Sequence, residues 1–171
     1  TMQELLDKAA AAGKPMHELL LANESALHTE ATTREFIQRV RGVMFDCINR
    51  GLCTDGLLPG GLHVNRRAKG IAERLAKTDS HASEGAMNWV SAFAIAVNEE
   101  NAAGGRVVTA PTNGAAGVVP AVLRYYQEFR DATPEGIERF MLVAGAVGAL
   151  CKRNASISGV MRRRVMSLTV L

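Results

Sequence analysis

The sequence has few cysteines, few aromatic residues and no long apolar run, and each shortage excludes a class of protein. Cys47, Cys53 and Cys151 show no C-x-x-C spacing, which argues against a disulfide framework and against a self-contained zinc or cluster site. We expect three reduced thiols, most of them buried. The longest fully apolar run, residues 140–151, contains twelve residues, which is too short to span a bilayer.

Most of the chain also has no excess of positive or negative charge. The net charge of +3 comes from Arg162, Arg163 and Arg164, and the remaining 17 basic side chains match the 17 acidic ones. With aromatic residues at only 5%, this pattern is not typical of a nucleic-acid-binding surface. The N-terminus is amphipathic and contains acids, unlike a signal peptide. We therefore expect a cytoplasmic protein that binds neither nucleic acid nor membrane.

What the sequence does contain is helical periodicity. Apolar residues recur at spacings of three and four, and no run alternates as a β-strand would. A chain of 171 residues suits one domain with a sizeable core, so the sequence predicts a mostly α protein, a single helical domain of about seven helices. The predicted helices cover residues 2–12, 15–27, 33–51, 66–77, 86–103, 118–130 and 134–151.

Side-chain patterns also predict where helices begin and which faces are buried. Thr32 or Thr33 can cap the third helix. Residues 140–151 are expected to form a buried helix, because Gly145 and Gly148 allow another backbone to approach closely. The residues expected on apolar faces are Met16, Leu19, Leu20 and Leu27 of the second helix, Phe36, Val40, Met44, Cys47 and Ile48 of the third, and Trp89, Phe93 and Val97 of the fifth.

The main candidate for function is the loop at residues 107–117, V-V-T-A-P-T-N-G-A-A-G. Thr112 and Asn113 offer side-chain hydrogen bonds, and Gly114 permits a backbone geometry in which main-chain N–H groups turn toward a ligand. A helix is predicted to follow at Val118, and free N–H donors and the helix dipole at its N-terminus favour a carboxylate or a phosphate. A plain turn between two core helices explains these residues equally well. Neither a Walker A nor a Rossmann pattern is present.

Two other polar groups are weaker candidates. Glu99 and Glu100 are neighbours on a predicted helix, so their side chains point about 100° apart and cannot form one carboxylate dyad. We expect at most one of them to face the loop, and a solvated helix end is the simpler interpretation. His63, with Arg66 and Arg67, lies in a loop rich in glycine. No second histidine lies near it in the sequence, which leaves a metal pair unsupported.

A final polar group follows the last predicted helix. Residues 152–159, K-R-N-A-S-I-S-G, place Asn154, Ser156 and Ser158 beside two cations. Cations at a helix C-terminus commonly compensate the helix dipole, whereas an amide and two hydroxyls directly after them suit a binding site. The pattern alone leaves both interpretations open.

Three segments resemble the α domain of bacterial iron–sulfur L-serine dehydratases. They are residues 98–114, N-E-E-N-A-A-G-G-R-V-V-T-A-P-T-N-G, residues 154–159, N-A-S-I-S-G, and residues 56–68, G-L-L-P-G-G-L-x-V-x-R-R-A. The similarity covers residues 21–159, and residues 21–28 look like those of single-chain members, in which a β domain precedes this one. The resemblance implies a helical α domain that helps convert L-serine to pyruvate and ammonia. It also implies a [4Fe–4S] cluster whose open iron acts on the serine hydroxyl as a Lewis acid.

The resemblance further implies where a substrate binds. The residues expected to contact L-serine, or another small carboxylate, are Thr112, Asn113 and Gly114 at its carboxylate, with Asn154, Ser156 and Ser158 orienting it. An anion at the loop is consistent with the chemistry of a helix N-terminus. No catalytic residue is assigned in this chain, because the general-base histidine that is proposed for the family belongs to the β domain.

The sequence departs from the family pattern after Gly159. There the family continues A-E-V-G-C-Q-G and then has two more cysteines, and these three cysteines hold the cluster, whereas this chain reads V-M-R-R-R and ends at Leu171. None of its own cysteines aligns with a ligand position. We therefore interpret residues 1–159 as an incomplete serine dehydratase α domain and residues 160–171 as an atypical basic and apolar tail. The chain is expected to bind no cluster and to lack dehydratase activity.

An alternative from another functional class is a helical module that binds a small anion or an amino acid without catalysis. Its expected partners are otherwise those of the family, namely the β domain of the same enzyme. Without partner segments, apolar helix faces would be exposed, which predicts self-association into a homo-oligomer. A nucleic-acid-binding role for the three arginines of the tail ranks last.

Overall fold

A computed structural model describes residues 1–77, 83–109 and 113–154. These residues form seven α-helices and no strand, which confirms the mostly α fold class. The helices in chain order are α1 (Met2–Ala11), α2 (Met16–Ser25), α3 (Glu30–Cys53), α4 (Ala68–Leu75), α5 (Ser83–Ala102), α6 (Asn113–Phe129) and α7 (Pro134–Asn154). None of the helices in this part of the chain is long and apolar enough to cross a membrane. The predicted boundary after Gly159 lies outside the described residues and stays a prediction.

The described helices fall into two compact units, one of residues 1–39 with those from 133 onward and one of residues 40–132. In the first unit, α2 packs against α1 and α7. Arg34 of α3 donates from Nε to Glu138 Oε2 of α7 at 2.9 Å. The buried apolar side chains of this unit are those of Ala9, Ile37, Ile137 and Met141.

In the second unit, α5 is the central helix and packs against both α4 and α6. Phe93 and Val97 are buried, and the ring of Trp89 lies 5.4 Å from that of Phe93. The core group of this unit consists of Cys47, Ile48, Phe93, Val97, Val107 and Ala121. The apolar stripes predicted for the third and fifth helices are therefore confirmed as core-facing surfaces.

The start of α3 differs from the prediction. The helix begins at Glu30, because Thr29 accepts a hydrogen bond from Thr32 N on its Oγ1 at 3.2 Å. Thr33 lies further inside the helix and donates from its own Oγ1 to Thr29 O at 3.2 Å. Thr29 is thus the residue that satisfies the free N–H groups of the first turn, and the prediction of Thr32 or Thr33 as the cap is wrong.

The start of α6 also differs from the prediction. The helix begins at Asn113 and not at Val118, so the second glycine of the loop lies inside it. A Cβ at Gly117 would lie 3.0 Å from Asn98 Oδ1 and 3.2 Å from Ala94 O, both on α5. This glycine, which has no Cβ, therefore permits close packing of α5 and α6.

Two expectations of burial for the helices are wrong. Leu27 lies beyond the end of α2 and is 75% exposed, so it does not share the apolar side of that helix. Residues 140–151 are helical as predicted, but Met141 alone is buried among them, and Val147 and Cys151 are exposed. The segment is therefore a mostly half-buried part of α7 and not a fully buried helix.

Candidate functional site

The loop at residues 107–117 leads into a helix, as the sequence predicts. Thr109 is half-buried, and residues 110–112, Thr112 among them, lie outside the described residues. Asn113 is the first residue of α6, and Gly114 is exposed in its first turn. These two residues therefore belong to the N-terminus of the helix, where the first N–H groups have no acceptor within the helix.

Asn154 is the last residue of α7, beyond the predicted helix end. It is exposed, and its Nδ2 donates to Leu150 O at 2.9 Å. This hydrogen bond satisfies one of the carbonyl groups that a helix leaves without a partner in its last turn. Ser156 and Ser158 lie outside the described residues, so the binding role of this group stays a prediction.

Glu100 is buried, at 6% exposure, and the expected solvated helix end is wrong. Its Oε1 accepts from Arg66 Nη1 at 2.8 Å, and its Oε2 accepts from Arg50 Nε at 3.0 Å. The Arg66 side chain is itself 7% exposed. A carboxylate can be buried here because two guanidinium groups replace the water that it loses.

Glu99 is buried as well, at 5% exposure, and it has different partners. Its Oε1 accepts from Arg67 N at 2.8 Å and its Oε2 from Ala68 N at 3.3 Å. These N–H groups belong to the start of α4, which has no side-chain cap of its own. Glu99 therefore supplies, from α5, the acceptor that a capping residue would provide, and its charge lies at the positive end of the α4 dipole.

The chain between α3 and α4 contains a short turn, residues 56–66, which we call the hairpin. Leu58 N donates to Val64 O at 2.8 Å across it. His63 lies in the turn with a φ of 49°, in the left-handed region that side chains rarely adopt. Its side chain is exposed, as expected for a solvated histidine.

A cavity of about 330 Å³ lies between the hairpin and α5. Its volume is at the lower end of the roughly 300–1,000 Å³ of ligand pockets, so it suits a small metabolite. Three of its residues are apolar and four carry amide or charged groups of both signs. The lining residues are Leu58, Val64, Asn65, Arg67, Ile95, Asn98 and Glu99.

Sequence reasoning missed this cavity, although it singled out several of its residues. Arg67 was grouped with the hairpin and Asn98 with the neighbouring glutamates, because each group was defined by sequence proximity. The contacts of Glu99 with the backbone of Arg67 and of Glu100 with Arg66 bring the two groups together. The one available signal was that both groups belong to segments that resemble the same family.

Asn98 also connects the cavity to α6. It lines the cavity, and its Oδ1 lies 3.0 Å from the position of a Cβ at Gly117. Gly117 follows Asn113 by four residues, a rise of about 6 Å along the helix. The cavity and the first turns of α6 therefore lie on neighbouring sides of the Asn98 side chain.

The described cysteines do not suit an iron–sulfur cluster. Cys47 is in the core, and burial raises the pKa of its thiol to about 11, so the thiolate needed for ligation is disfavoured. Cys53 follows it by six residues on α3, about 9 Å further along the axis. Cys53 and Cys151 are free and exposed, so the expectation of mostly buried thiols is wrong. Among the described residues, no group of three or more histidine, cysteine or acidic side chains can hold a metal ion.

Comparison with known proteins gives consistent matches. The family model for the serine dehydratase alpha chain matches residues 11–161. L-serine dehydratase of Streptomyces coelicolor is 51% identical over 160 residues, which are 93% of this chain and 35% of that protein. L-serine dehydratase 1 of Escherichia coli is 48% identical over 91% of this chain, and the Helicobacter pylori L-serine dehydratase is 38% identical over 92%. The chain thus spans about a third of the length of these relatives, 35% in each.

Proposed function

Because this chain belongs to the serine dehydratase alpha chain family, we propose that it supplies the α domain of an L-serine ammonia-lyase. The observation that carries the proposal is the match of residues 11–161 to the family model. In the proposed reaction, L-serine loses its hydroxyl group and its α-proton as water. The resulting enamine becomes an imine, and water hydrolyses the imine to pyruvate and ammonia.

The proposed substrate contacts are those expected from the sequence. They are Thr112, Asn113 and Gly114 for the carboxylate, with Asn154, Ser156 and Ser158 orienting the amino acid. The position of Asn113 at the start of α6 supports the first group, because the positive end of a helix dipole favours a carboxylate. These residues are proposed to bind and orient the substrate, and other parts of the enzyme act on its hydroxyl group.

For the chain as it stands, we propose that it holds no [4Fe–4S] cluster and forms no pyruvate by itself. The support is the chemistry of its described cysteines, one a protonated core thiol and two exposed. We further propose that the whole enzyme is cytoplasmic, serves amino-acid breakdown that feeds gluconeogenesis, and forms a homo-oligomer in which a β domain contacts this α domain.

Two measurements test the proposal. In a chimera, residues 11–159 of this chain replace the matched segment of the Streptomyces coelicolor enzyme, and pyruvate formed from L-serine is followed. The chimera is expected to be active and to lose activity with Asn113→Ala. A folded chimera that contains its cluster but forms no pyruvate would contradict the α-domain assignment. The 171-residue chain, treated anaerobically with iron and sulfide, should show neither cluster absorbance nor pyruvate, and either signal would contradict its proposed inactivity.

One observation favours the alternative of a binding module without catalysis. The cavity beside the hairpin presents an arginine that has no partner among the described residues. Calorimetry of the chain alone with L-serine separates the two functions. Binding by the chain together with an inactive chimera would favour the module, whereas an active chimera favours the lyase.

A further inference from the structure

We propose that the cavity between the hairpin and α5 binds the carboxylate of a zwitterionic α-amino acid through Arg67 and Asn98. Both side chains line the cavity. Planar guanidinium groups bind carboxylates through two parallel hydrogen bonds, and an asparagine amide can add a further donor. The inference goes beyond the sequence-based assignment, which placed the carboxylate only at the start of α6.

The side chain of Arg67 is available to a ligand. Its guanidinium forms no hydrogen bond or ion pair with any described residue, although it stands next to Arg66, whose guanidinium is paired with Glu100. The amide of Asn98 is likewise without a hydrogen-bond partner in the described part of the chain. A cation and an amide that have no partner among the described residues therefore border the same cavity.

The backbone of Arg67 is held in place by its neighbours. On one side, Arg66 is anchored by its ion pair to Glu100 at 2.8 Å. At Arg67 and Ala68, the N–H groups are both held by the buried Glu99. A binding group on a fixed backbone loses less entropy when a ligand binds than one on a free loop.

The charges that border the cavity favour a zwitterionic ligand. Glu99 also lines the cavity, and each of its oxygens accepts one hydrogen bond from the backbone, which leaves a further lone pair on each. A ligand with only negative charge would be repelled by this carboxylate. A zwitterion avoids the repulsion, since its carboxylate faces Arg67 and its ammonium group faces Glu99. The apolar side chains of Leu58, Val64 and Ile95 then contact the carbon atoms of the ligand.

The proposed function identifies the amino acid as L-serine, and this identity alone rests on it. The carboxylate-binding role of Arg67 does not rest on it. The start of α6 at Asn113 is a separate place, because no described residue of α6 lines the cavity. Variants at Arg67 and at Asn113 therefore separate the two places where a carboxylate can bind.

The experiment is calorimetric titration of the 171-residue chain with L-serine, ethanolamine and L-lactate. Ethanolamine keeps the ammonium and hydroxyl groups but lacks the carboxylate, and L-lactate lacks the ammonium group. The variants are Arg67→Ala, Arg67→Lys and, as a control with the same loss of charge, Arg139→Ala. Arg139 is an exposed residue of α7 that does not line the cavity. Circular dichroism and the thermal midpoint show whether each variant is folded.

We expect Arg67→Ala to weaken L-serine binding by about tenfold or more, the loss of one charged hydrogen-bonded contact, with Arg67→Lys in between and Arg139→Ala unchanged. Ethanolamine and L-lactate should bind at least about tenfold more weakly than L-serine by the same reasoning. Equal affinity of folded Arg67→Ala and the parent chain, or equal affinity for ethanolamine, overturns the inference. Failure of the parent chain to bind L-serine overturns it too, while an active chimera still supports the lyase. Binding that depends on Arg67 together with an inactive chimera supports the inference and contradicts the lyase.

Discussion

Arg66 and Glu100 form a buried ion pair: Arg66 Nη1 donates to Glu100 Oε1 at 2.8 Å, and both side chains are less than a tenth exposed. Arg50 of α3 donates to the second oxygen of the same carboxylate at 3.0 Å. One carboxylate on α5 thus joins α3 to the segment that enters α4. A pair of this kind stabilises a fold little compared with an apolar substitute, but removal of one partner leaves a buried charge uncompensated.

Glu100→Ala should therefore lower the free energy of unfolding by about 3–5 kcal/mol, the cost of leaving a buried charge without its partner. Urea denaturation followed by circular dichroism measures the loss. Glu73→Ala is the control, since it removes an exposed acid from α4 and should leave the midpoint nearly unchanged. A variant at Glu100 that is as stable as this control would show that Arg66 remains solvated.

Gly51→Ala should destabilise the second unit because of a backbone contact. Gly51 is buried on α3, and a Cβ there would lie 2.8 Å from the Cα of Ala96 on α5 and would also meet the Ala96 carbonyl group. Overpacking of this kind costs about 1–3 kcal/mol or more. Gly42→Ala, on the same helix but with no atom within 4 Å of the added Cβ, should instead raise stability by up to about 1 kcal/mol. Equal thermal midpoints for the two variants would contradict the close approach of α3 and α5.

The three cysteines should differ sharply in reactivity. Burial raises the pKa of the Cys47 thiol from 9.0 to about 11, whereas Cys53 and Cys151 are exposed. Iodoacetamide at pH 8 should label the two exposed thiols in the native chain and Cys47 only in urea, as mass spectrometry of the peptides can show. Native labelling of Cys47 at the rate of Cys53 would contradict its burial.

The raised pKa of Cys47 also predicts how the free energy of unfolding changes with pH. Because the pKa of Cys47 is higher in the folded chain, the folded state keeps a proton that the unfolded state releases. The stabilisation of the folded state by the protonated Cys47 thiol is fully present below pH 9.0 and is lost as the pH rises toward about 11. Urea midpoints measured across this range should fall less steeply for Cys47→Ala than for the parent chain. Parallel curves would rule out Cys47 as the cause.

The helices were predictable because their apolar periodicity is local. The stripe of Trp89, Phe93 and Val97 needed only the spacing of one helix, and it proved to be the core-facing side of α5. The same stripe continues to Glu100, three residues after Val97, so the periodicity did place this carboxylate on a buried face. Its charge instead favoured a solvated side chain. The arginines that compensate the charge are 34 and 50 residues away in the sequence, so no local pattern indicates them.

The cavity was not predictable for a related reason. The start of α4, which directly follows the hairpin, is held to α5 by hydrogen bonds from Arg67 N and Ala68 N to Glu99. No local sequence pattern indicates a helix cap that a distant helix supplies. The start of α6 was misplaced because glycines normally lower the tendency to form a helix. At Gly117 the close approach of α5 requires a residue without a Cβ.

Glu99→Ala should loosen the wall of the cavity without removing any side chain that we propose to bind the carboxylate. Two N–H groups at the start of α4 lose their acceptor, which costs about 1–3 kcal/mol if they stay buried. Hydrogen exchange at Arg67 and Ala68 should accelerate in the variant, whereas Glu73→Ala should leave it unchanged. L-Serine affinity should fall as well, because the backbone that carries Arg67 is no longer fixed and the ammonium group loses its partner. Unchanged exchange at both amides would show that Glu99 does not hold the start of α4 and therefore does not fix the backbone of Arg67.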